Sequence, residues 1–267
     1  LVQLLDAVIV PSRLIFIGYS IKNATALYGQ LSGMAAVLIS LPTIFTISIA
    51  TSLVPAISEA LAQKKPKLLN ERLNYGFRAG MIVSLPSAAG LYVLAYPICD
   101  LLYGTPEAGN PLEVLAFSCI ALAAFQLSSA GLQGIGRPEI AMRHLVITGI
   151  LKVLFNYTLT AIPMLNIKGA AIGTVVAFAI GSLLNLISLK QLTKVEYEYS
   201  RLIKILIITI LMGMATKLGY NFLVAADIKS HLATLLAITA GVGIYGILLV
   251  IIREFDLNMI KRMFRGV

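Results

Sequence analysis

A lysine near the middle of an apolar segment is the residue of this sequence that most needs a chemical explanation. Leu145–Ile162 predicts one apolar helix long enough to cross a bilayer, and Lys152 lies close to its centre. An ammonium group at that depth costs about 2.5–3.5 kcal/mol on insertion scales. Lys152 belongs to one polar stripe at four-residue spacing, with Thr148 before it and Asn156 and Thr160 after it. The stripe predicts either polar contacts between helices or a watery cavity, and the cation favours the cavity.

The preceding apolar segment carries a second polar face. Gln126, Ser129 and Gln133 share one side of it, and two glutamines in one span are harder to attribute to packing than serines. Asp6, in a shorter apolar segment that also contains Arg13, is a further cavity candidate. The candidate substrate-binding residues are therefore Lys152, Asn156, Thr148, Gln126, Gln133, Ser129 and Asp6. The sequence predicts no catalytic residue, no metal site and no cofactor.

A third segment, Met34–Pro55, combines a proline with several hydroxyl side chains. Pro42 removes one backbone hydrogen bond, and neighbouring hydroxyls can bond to the carbonyl group that it frees. Interrupted helices of this kind line the path in many transporters. We therefore expect a break in this helix near Pro42.

The composition places all these residues in a membrane. The chain has 267 residues, of which 58% are hydrophobic and 12% are charged, and its mean hydropathy is +0.90. Such a chain cannot cover a soluble globule with polar groups. Its net charge of +9 does not indicate nucleic-acid binding, because the basic residues lie between the apolar runs. The two cysteines do not have metal-ligand spacing.

Seven apolar runs have the length that a bilayer requires, about 18–23 residues each. A shorter run, Leu1–Ile17, precedes them and is read as the remainder of a helix cut at its start. The fold class is therefore all-α, a polytopic membrane bundle of about eight helices, the first incomplete. The seven runs are Met34–Pro55, Ala79–Ile98, Val114–Gly136, Leu145–Ile162, Gly169–Leu189, Ile205–Leu223 and Leu232–Ile252.

Basic residues alternate between the connections and so predict an orientation. Every second connection, with the tail from Arg253, carries fifteen of the 21 Lys and Arg residues. By the positive-inside rule these connections and the C-terminus are cytoplasmic. One of them, Ser58–Arg78, is predicted to form an amphipathic helix on the surface of the cytoplasmic leaflet. Gly169–Gly173, by contrast, has the small-residue spacing typical of close helix contact.

Four stretches of this chain resemble a known transporter group, the stage V sporulation protein B branch of the polysaccharide and lipid II flippases. That group belongs to the MOP superfamily, together with the MurJ flippases and the MATE drug exporters. The resemblance runs from residue 1 to about 195 and keeps order and spacing. The stretches are ATALYGQLSGMAAVLISLPTIFTISIATSLVPAISEA, LLYGTPEAG, SSAGLQGIGRPEIAMRHLVI and LKVLFNYTLTAIPMLNIKGAAIGT.

The resemblance implies both an architecture and an activity. Residues 1–192 would be the C-terminal six-helix lobe of a fourteen-helix transporter, and residues 193–267 two additional helices and a cytoplasmic tail. The whole protein would move undecaprenyl-pyrophosphate-linked sugars across the bacterial cytoplasmic membrane by alternating access, with a missing N-terminal lobe as partner. Lys152 would attract the diphosphate, and Gln126, Gln133 and Asn156 would donate hydrogen bonds. Membrane lipids are the other expected partners, and nucleic acid is not.

Two other functions remain open at this stage. A MATE-like antiporter for organic cations would need cavity acids, and only Asp6 qualifies. A membrane enzyme of polysaccharide assembly would need a large outer loop with catalytic acids, whereas the predicted outer connections are short. A lipid-linked sugar flippase, which is not an enzyme, is the preferred prediction.

Overall fold

The computed structural model describes residues 2–252, and all its regular structure in that range is helical. A π-helical segment, Gln30–Ala35, joins α2 to α3, and a short 3₁₀ turn, Pro106–Ala108, precedes α6. The α-helices are α1 Val2–Phe16, α2 Ile21–Gly29, α3 Ala36–Ala62, α4 Pro66–Val93, α5 Ala95–Tyr103, α6 Gly109–Leu115, α7 Ser118–Gly134, α8 Pro138–Leu159, α9 Asn166–Thr193, α10 Tyr199–Ala225 and α11 Ser230–Ile251.

The helices confirm the prediction of an all-α, polytopic membrane bundle. Within residues 2–252, five helical stretches are long and apolar enough to cross a bilayer, counting Ile21–Ala62 as one. Two further spans are bent pairs: α4 and α5 meet at 80°, and the helical residues Pro106–Leu115 meet α7 at 40°. α1 has 15 residues and is shorter than a full span.

The predicted break at Pro42 is wrong. α3 runs without interruption from Ala36 to Ala62, through both Pro42 and Pro55. The irregular backbone lies about two to three turns before Pro42, in the π-helical segment. The hydroxyls bond to carbonyls one turn back along their own helix, as Ser40 Oγ does to the Val37 oxygen at 2.6 Å. A proline therefore marks a lost backbone bond here without marking a break.

The predicted surface helix in Ser58–Arg78 is also wrong. Its first residues end α3, and residues 66–78 form the first part of α4, continuous with the membrane span. Leu69, Leu73 and Phe77 are buried in a core cluster shared with α3, α7 and α9. An amphipathic pattern shows that one face of a helix is apolar, but it does not show whether that face packs against other helices or against lipid.

Close contact between α8 and α9 depends on the glycines of α9. A Cβ atom added at Gly173 would lie 2.5 Å from Oδ1 of Asn156, and one added at Gly181 would overlap Oγ1 of Thr148. At Gly169 it would overlap the backbone of Leu159. The packing predicted for Gly169–Gly173 is confirmed, and it fixes the polar stripe of α8 against α9.

The last two helices, α10 and α11, lie beside α4 and α5 at one edge of the bundle. Tyr245 of α11 donates a hydrogen bond to the Ile82 oxygen of α4 at 2.9 Å. The connection before α10 is held by Asn74 of α4, whose amide nitrogen donates to the Glu196 oxygen at 2.8 Å. α9 ends at Thr193 and α10 begins at Tyr199, so the proposed division at residues 192 and 193 falls at this connection. The predicted cytoplasmic tail from Arg253 lies outside the described residues.

Candidate functional site

An ion pair joins α1 to α8 in the interior of the bundle. Nζ of Lys152 donates to Oδ2 of Asp6 at 2.6 Å, and Nδ2 of Asn156 donates to Oδ1 of the same carboxylate at 2.8 Å. The side chains of Lys152 and Asp6 are only 16% and 11% exposed. The buried cation therefore has a counter-ion 146 residues away in sequence. We call the three residues Asp6, Lys152 and Asn156 the charged seam.

The charged seam is held from behind by α9. Asn156 is 2% exposed and packs against Gly173, where no side chain larger than hydrogen fits without displacing it. Its Oδ1 atom and the Oγ1 atom of Thr160 are buried without a hydrogen-bond partner in the described part of the chain. The amide nitrogen of Asn156 therefore donates to Asp6, while its amide oxygen faces Gly173 where α8 packs against α9.

Lys152 also borders a large cleft. The cleft has a volume of about 900 Å³, and residues of α1, α3, α7, α8 and α9 line it. Gln3, Ser40, Thr43 and Thr148 contribute polar groups to an otherwise apolar lining. The charged seam thus places a paired cation at the wall of this cleft.

The other candidate residues form a separate group on α7. Gln126, Ser129 and Gln133 line a second cavity of about 410 Å³, together with Thr51 of α3. Oε1 of Gln126 accepts a hydrogen bond from the Thr46 hydroxyl. The hydroxyl of Ser129 accepts a hydrogen bond from Asn185 of α9, whereas Gln133 is exposed. Five of the seven predicted residues are therefore divided between two cavities, which share Leu145 as a lining residue, and Asp6 and Asn156 lie behind Lys152 without lining either one.

Comparison with known proteins decides the family. A family profile described as "Lipid II flippase MurJ" matches residues 15–251 of the chain. This chain belongs to the MurJ family. That result confirms the resemblance found in the sequence.

Individual relatives agree with the MurJ family assignment. Stage V sporulation protein B of Bacillus subtilis (strain 168) is 29% identical over 262 residues, which cover 97% of this chain and 50% of that protein. Lipid II flippase MurJ of the same organism is 28% identical over 221 residues, covering 77% of this chain and 40% of the relative. The solved structure "Lipid II flippase MurJ, inward closed conformation" has a TM-score of 0.70 at 19% identity, covering 86% of this chain and 47% of that one. The chain thus spans about half the length, or less, of these relatives.

Within this MurJ-family fold, sequence reasoning missed a second polar network, which contains no carboxylate. Asn185 of α9 is fully buried, and its Nδ2 donates to Oγ of Ser129 on α7 at 2.8 Å. Its Oδ1 lies 2.8 Å from Nδ1 of His144 on α8. We call Ser129, His144 and Asn185 the amide network. Asn185 is the single polar residue in the run LLNLI, and a lone amide in an apolar run indicates a residue that needs a buried hydrogen-bond partner.

Two further basic residues differ in their surroundings. Lys217 on α10 is exposed. Arg13, at the last turn of α1, instead packs against two aromatic rings, those of Phe16 and Tyr157. The contact with Tyr157 shows that α1 and α8 run in the same direction, since Asp6 pairs with Lys152 and the later Arg13 with the later Tyr157.

Proposed function

We propose that this chain is one lobe of a flippase for undecaprenyl-pyrophosphate-linked sugars. The observation that carries the proposal is the charged seam, a cation held at the wall of a 900 Å³ cleft inside a MurJ-family membrane bundle. A diphosphate crossing a low-dielectric region needs cationic or hydrogen-bonding partners along its path. The names of the relatives, among them a lipid II flippase, support the same substrate class.

The ion pair suggests how Lys152 takes part. Without substrate, Asp6 is the counter-ion of the ammonium at a depth where an unpaired cation is costly. A diphosphate that enters the cleft carries more negative charge than one carboxylate and competes for the same ammonium. Binding is then an exchange of partners at Lys152, and Asp6 keeps its hydrogen bond from Asn156. When the substrate leaves, the ion pair between Lys152 and Asp6 forms again.

Transport, rather than a chemical reaction, needs a second lobe. Alternating access requires one lobe to move against another around a site between them. The chain spans about half of its relatives, so we propose that an N-terminal lobe supplies the facing wall of the cleft and further cationic residues. The basic connections and the C-terminus face the cytoplasm in this arrangement.

The cation-antiporter alternative has less support from the geometry. An organic cation would need a free carboxylate in the cleft. Asp6, the acid proposed for that role, is already bonded to an ammonium and an amide.

Reconstitution tests the proposal directly. The chain is placed in vesicles with or without the N-terminal lobe of a MurJ-family relative, and the outward movement of a fluorescent lipid II analogue is measured. We expect transport only when both lobes are present, and loss of it when Lys152→Gln is introduced. Equal transport by the chain alone would contradict the two-lobe proposal, and full transport by Lys152→Gln would contradict the role of the cation.

A further inference from the structure

Arg13 is held in an aromatic clamp at the end of α1. Its guanidinium carbon lies 4.4 Å from the centroid of the Phe16 ring and 4.1 Å from that of the Tyr157 ring. Both distances lie within the range of cation–π attraction. Nη1 of Arg13 also donates a long hydrogen bond, 3.3 Å, to the Tyr157 hydroxyl. The rings restrict the plane of the guanidinium group and leave its edge as the direction in which it can bind.

The clamp contains no counter-ion. Among residues 2–252, no carboxylate lies within 4.0 Å of the Arg13 nitrogens, and Nε is shielded from solvent without a hydrogen-bond partner. The last turn of α1 provides only the partial negative charge of its carbonyl end. Lys152, in contrast, has a full carboxylate partner. Within the described residues 2–252, Arg13 is thus a positioned cation without a carboxylate partner.

The surroundings of the clamp are those of a membrane interface. Phe16 is 71% exposed and Tyr157 is 48% exposed, so two large rings flank the charge at the surface of the chain. Aromatic side chains with one apolar and one wet side are enriched at this depth. A guanidinium fork matches phosphate oxygens in a bidentate way, while the rings can contact the hydrocarbon attached to the phosphate.

We propose that Arg13, Phe16 and Tyr157 form a binding site for the phosphate group of a lipid. The site lies seven residues beyond Asp6, about 10 Å further along α1 at 1.5 Å per residue, on the same side as the charged seam. The phosphate belongs either to the transported lipid diphosphate or to a bilayer phospholipid. The first source rests on the proposed function, whereas lipid-phosphate binding itself does not.

The absence of tryptophan from the chain allows a direct test. Phe16→Trp places a single indole beside the Arg13 guanidinium, and its fluorescence is followed in neutral detergent micelles. The probes are dioctanoyl phosphatidic acid, farnesyl diphosphate and, as the phosphate-free control, dioctanoylglycerol. We expect saturable changes with the two phosphate lipids only. Adding Arg13→Gln should weaken them at least about tenfold, as loss of a charge-assisted contact predicts.

Matched variants separate a local site from general surface charge. Lys22→Gln removes an exposed cation from α2, outside the clamp, and should leave the titration unchanged. Arg13→Lys keeps the charge but loses the planar fork, and should bind with intermediate strength. Phosphorus NMR line broadening with the unmodified chain and with Arg13→Gln gives a second readout that does not depend on the indole.

The outcomes are distinct. Tighter binding of the diphosphate identifies the transported lipid as the source, and tighter binding of phosphatidic acid identifies a bilayer lipid. The proposal is overturned by an equal response in Arg13→Gln, by an equal loss in Lys22→Gln, or by saturation with dioctanoylglycerol. Because the titration needs neither a second lobe nor transport, a failed flippase assay leaves its result intact, and the converse also holds.

Discussion

The charged seam and the amide network are two buried polar groups of three residues each that lie at different positions along α8. The seam joins α8 to α1 through a full ion pair and borders the larger cleft. The network joins α7, α8 and α9 through a hydroxyl, an imidazole and a fully buried amide, that of Asn185. Neutral polar contacts are sufficient to hold membrane helices together. The charged seam costs more to bury, so a structural role alone explains it less well than it explains the network.

The largest effect is expected from separating the two members of the ion pair. Asp6→Asn leaves the ammonium unpaired and Lys152→Gln leaves the carboxylate unpaired, and each loss of a buried partner should destabilise the bundle by about 3–5 kcal/mol. The double variant carries no buried charge and should regain most of that stability. Thermal unfolding in micelles and membrane abundance are the measurements.

The same double variant separates structure from transport. If Lys152 binds the diphosphate, the restored protein still fails in the two-lobe transport assay. Restored stability together with restored transport would show that the seam only holds helices together, as the amide network does. Lys152→Arg, which keeps the charge, should retain part of the transport.

A smaller effect is expected from the glycine that supports the seam. Gly173→Ala places a Cβ atom against Oδ1 of Asn156, and overpacking of this kind typically costs about 1–3 kcal/mol. Displacement of Asn156 should also weaken binding of a lipid diphosphate in the two-lobe protein. Gly243→Ala on α11 is the control, because no heavy atom lies within 4 Å of its added Cβ. Equal stability of both variants would contradict the close α8–α9 contact.

The amide network should respond in stability alone. Asn185→Ala leaves Ser129 and His144 without their shared partner, at a cost of about 1–3 kcal/mol. The charge at the cleft is unchanged, so the affinity for a lipid diphosphate should stay the same. Gln191→Ala removes an exposed side chain from α9, away from both cavities, and serves as the control. A drop in affinity at normal stability would assign the network to the binding site.

Labelling with an impermeant thiol reagent should reveal which end of the seam faces the cytoplasm, with almost no change in stability. Glu107→Cys should react from outside and Gln63→Cys only from inside, since both positions are exposed and lie on opposite predicted sides. Gly109 is a poor site, because a side chain there would meet Tyr96. Cys99 and Cys119 are buried and should remain unlabelled. The reverse labelling pattern would show that the chain has the opposite orientation in the membrane.

Sequence reasoning reached the elements and the residues of the charged seam, but not how those residues pair. Hydropathy located the spans, and four-residue spacing located Lys152 and Asn156 on one face, because both depend on local periodicity. The pairing of Lys152 with Asp6 depends on how α1 and α8 pack, which local periodicity does not show. Ser129 was found without Asn185 for the same reason. A local pattern shows that a side chain needs a partner, but it does not show which distant residue supplies it.

The ion pair between Asp6 and Lys152 has a consequence for the membrane potential. Moving one elementary charge through the full field involves about 2.3 kcal/mol per 100 mV. A lone lysine carried by a rocking lobe would experience part of that force, whereas an ammonium 2.6 Å from a carboxylate forms a dipole with no net charge. Motion of the empty seam is therefore nearly independent of voltage. Only when an anion replaces Asp6 at Lys152 does the seam gain a net charge, so any voltage sensitivity that arises at the seam belongs to the loaded state.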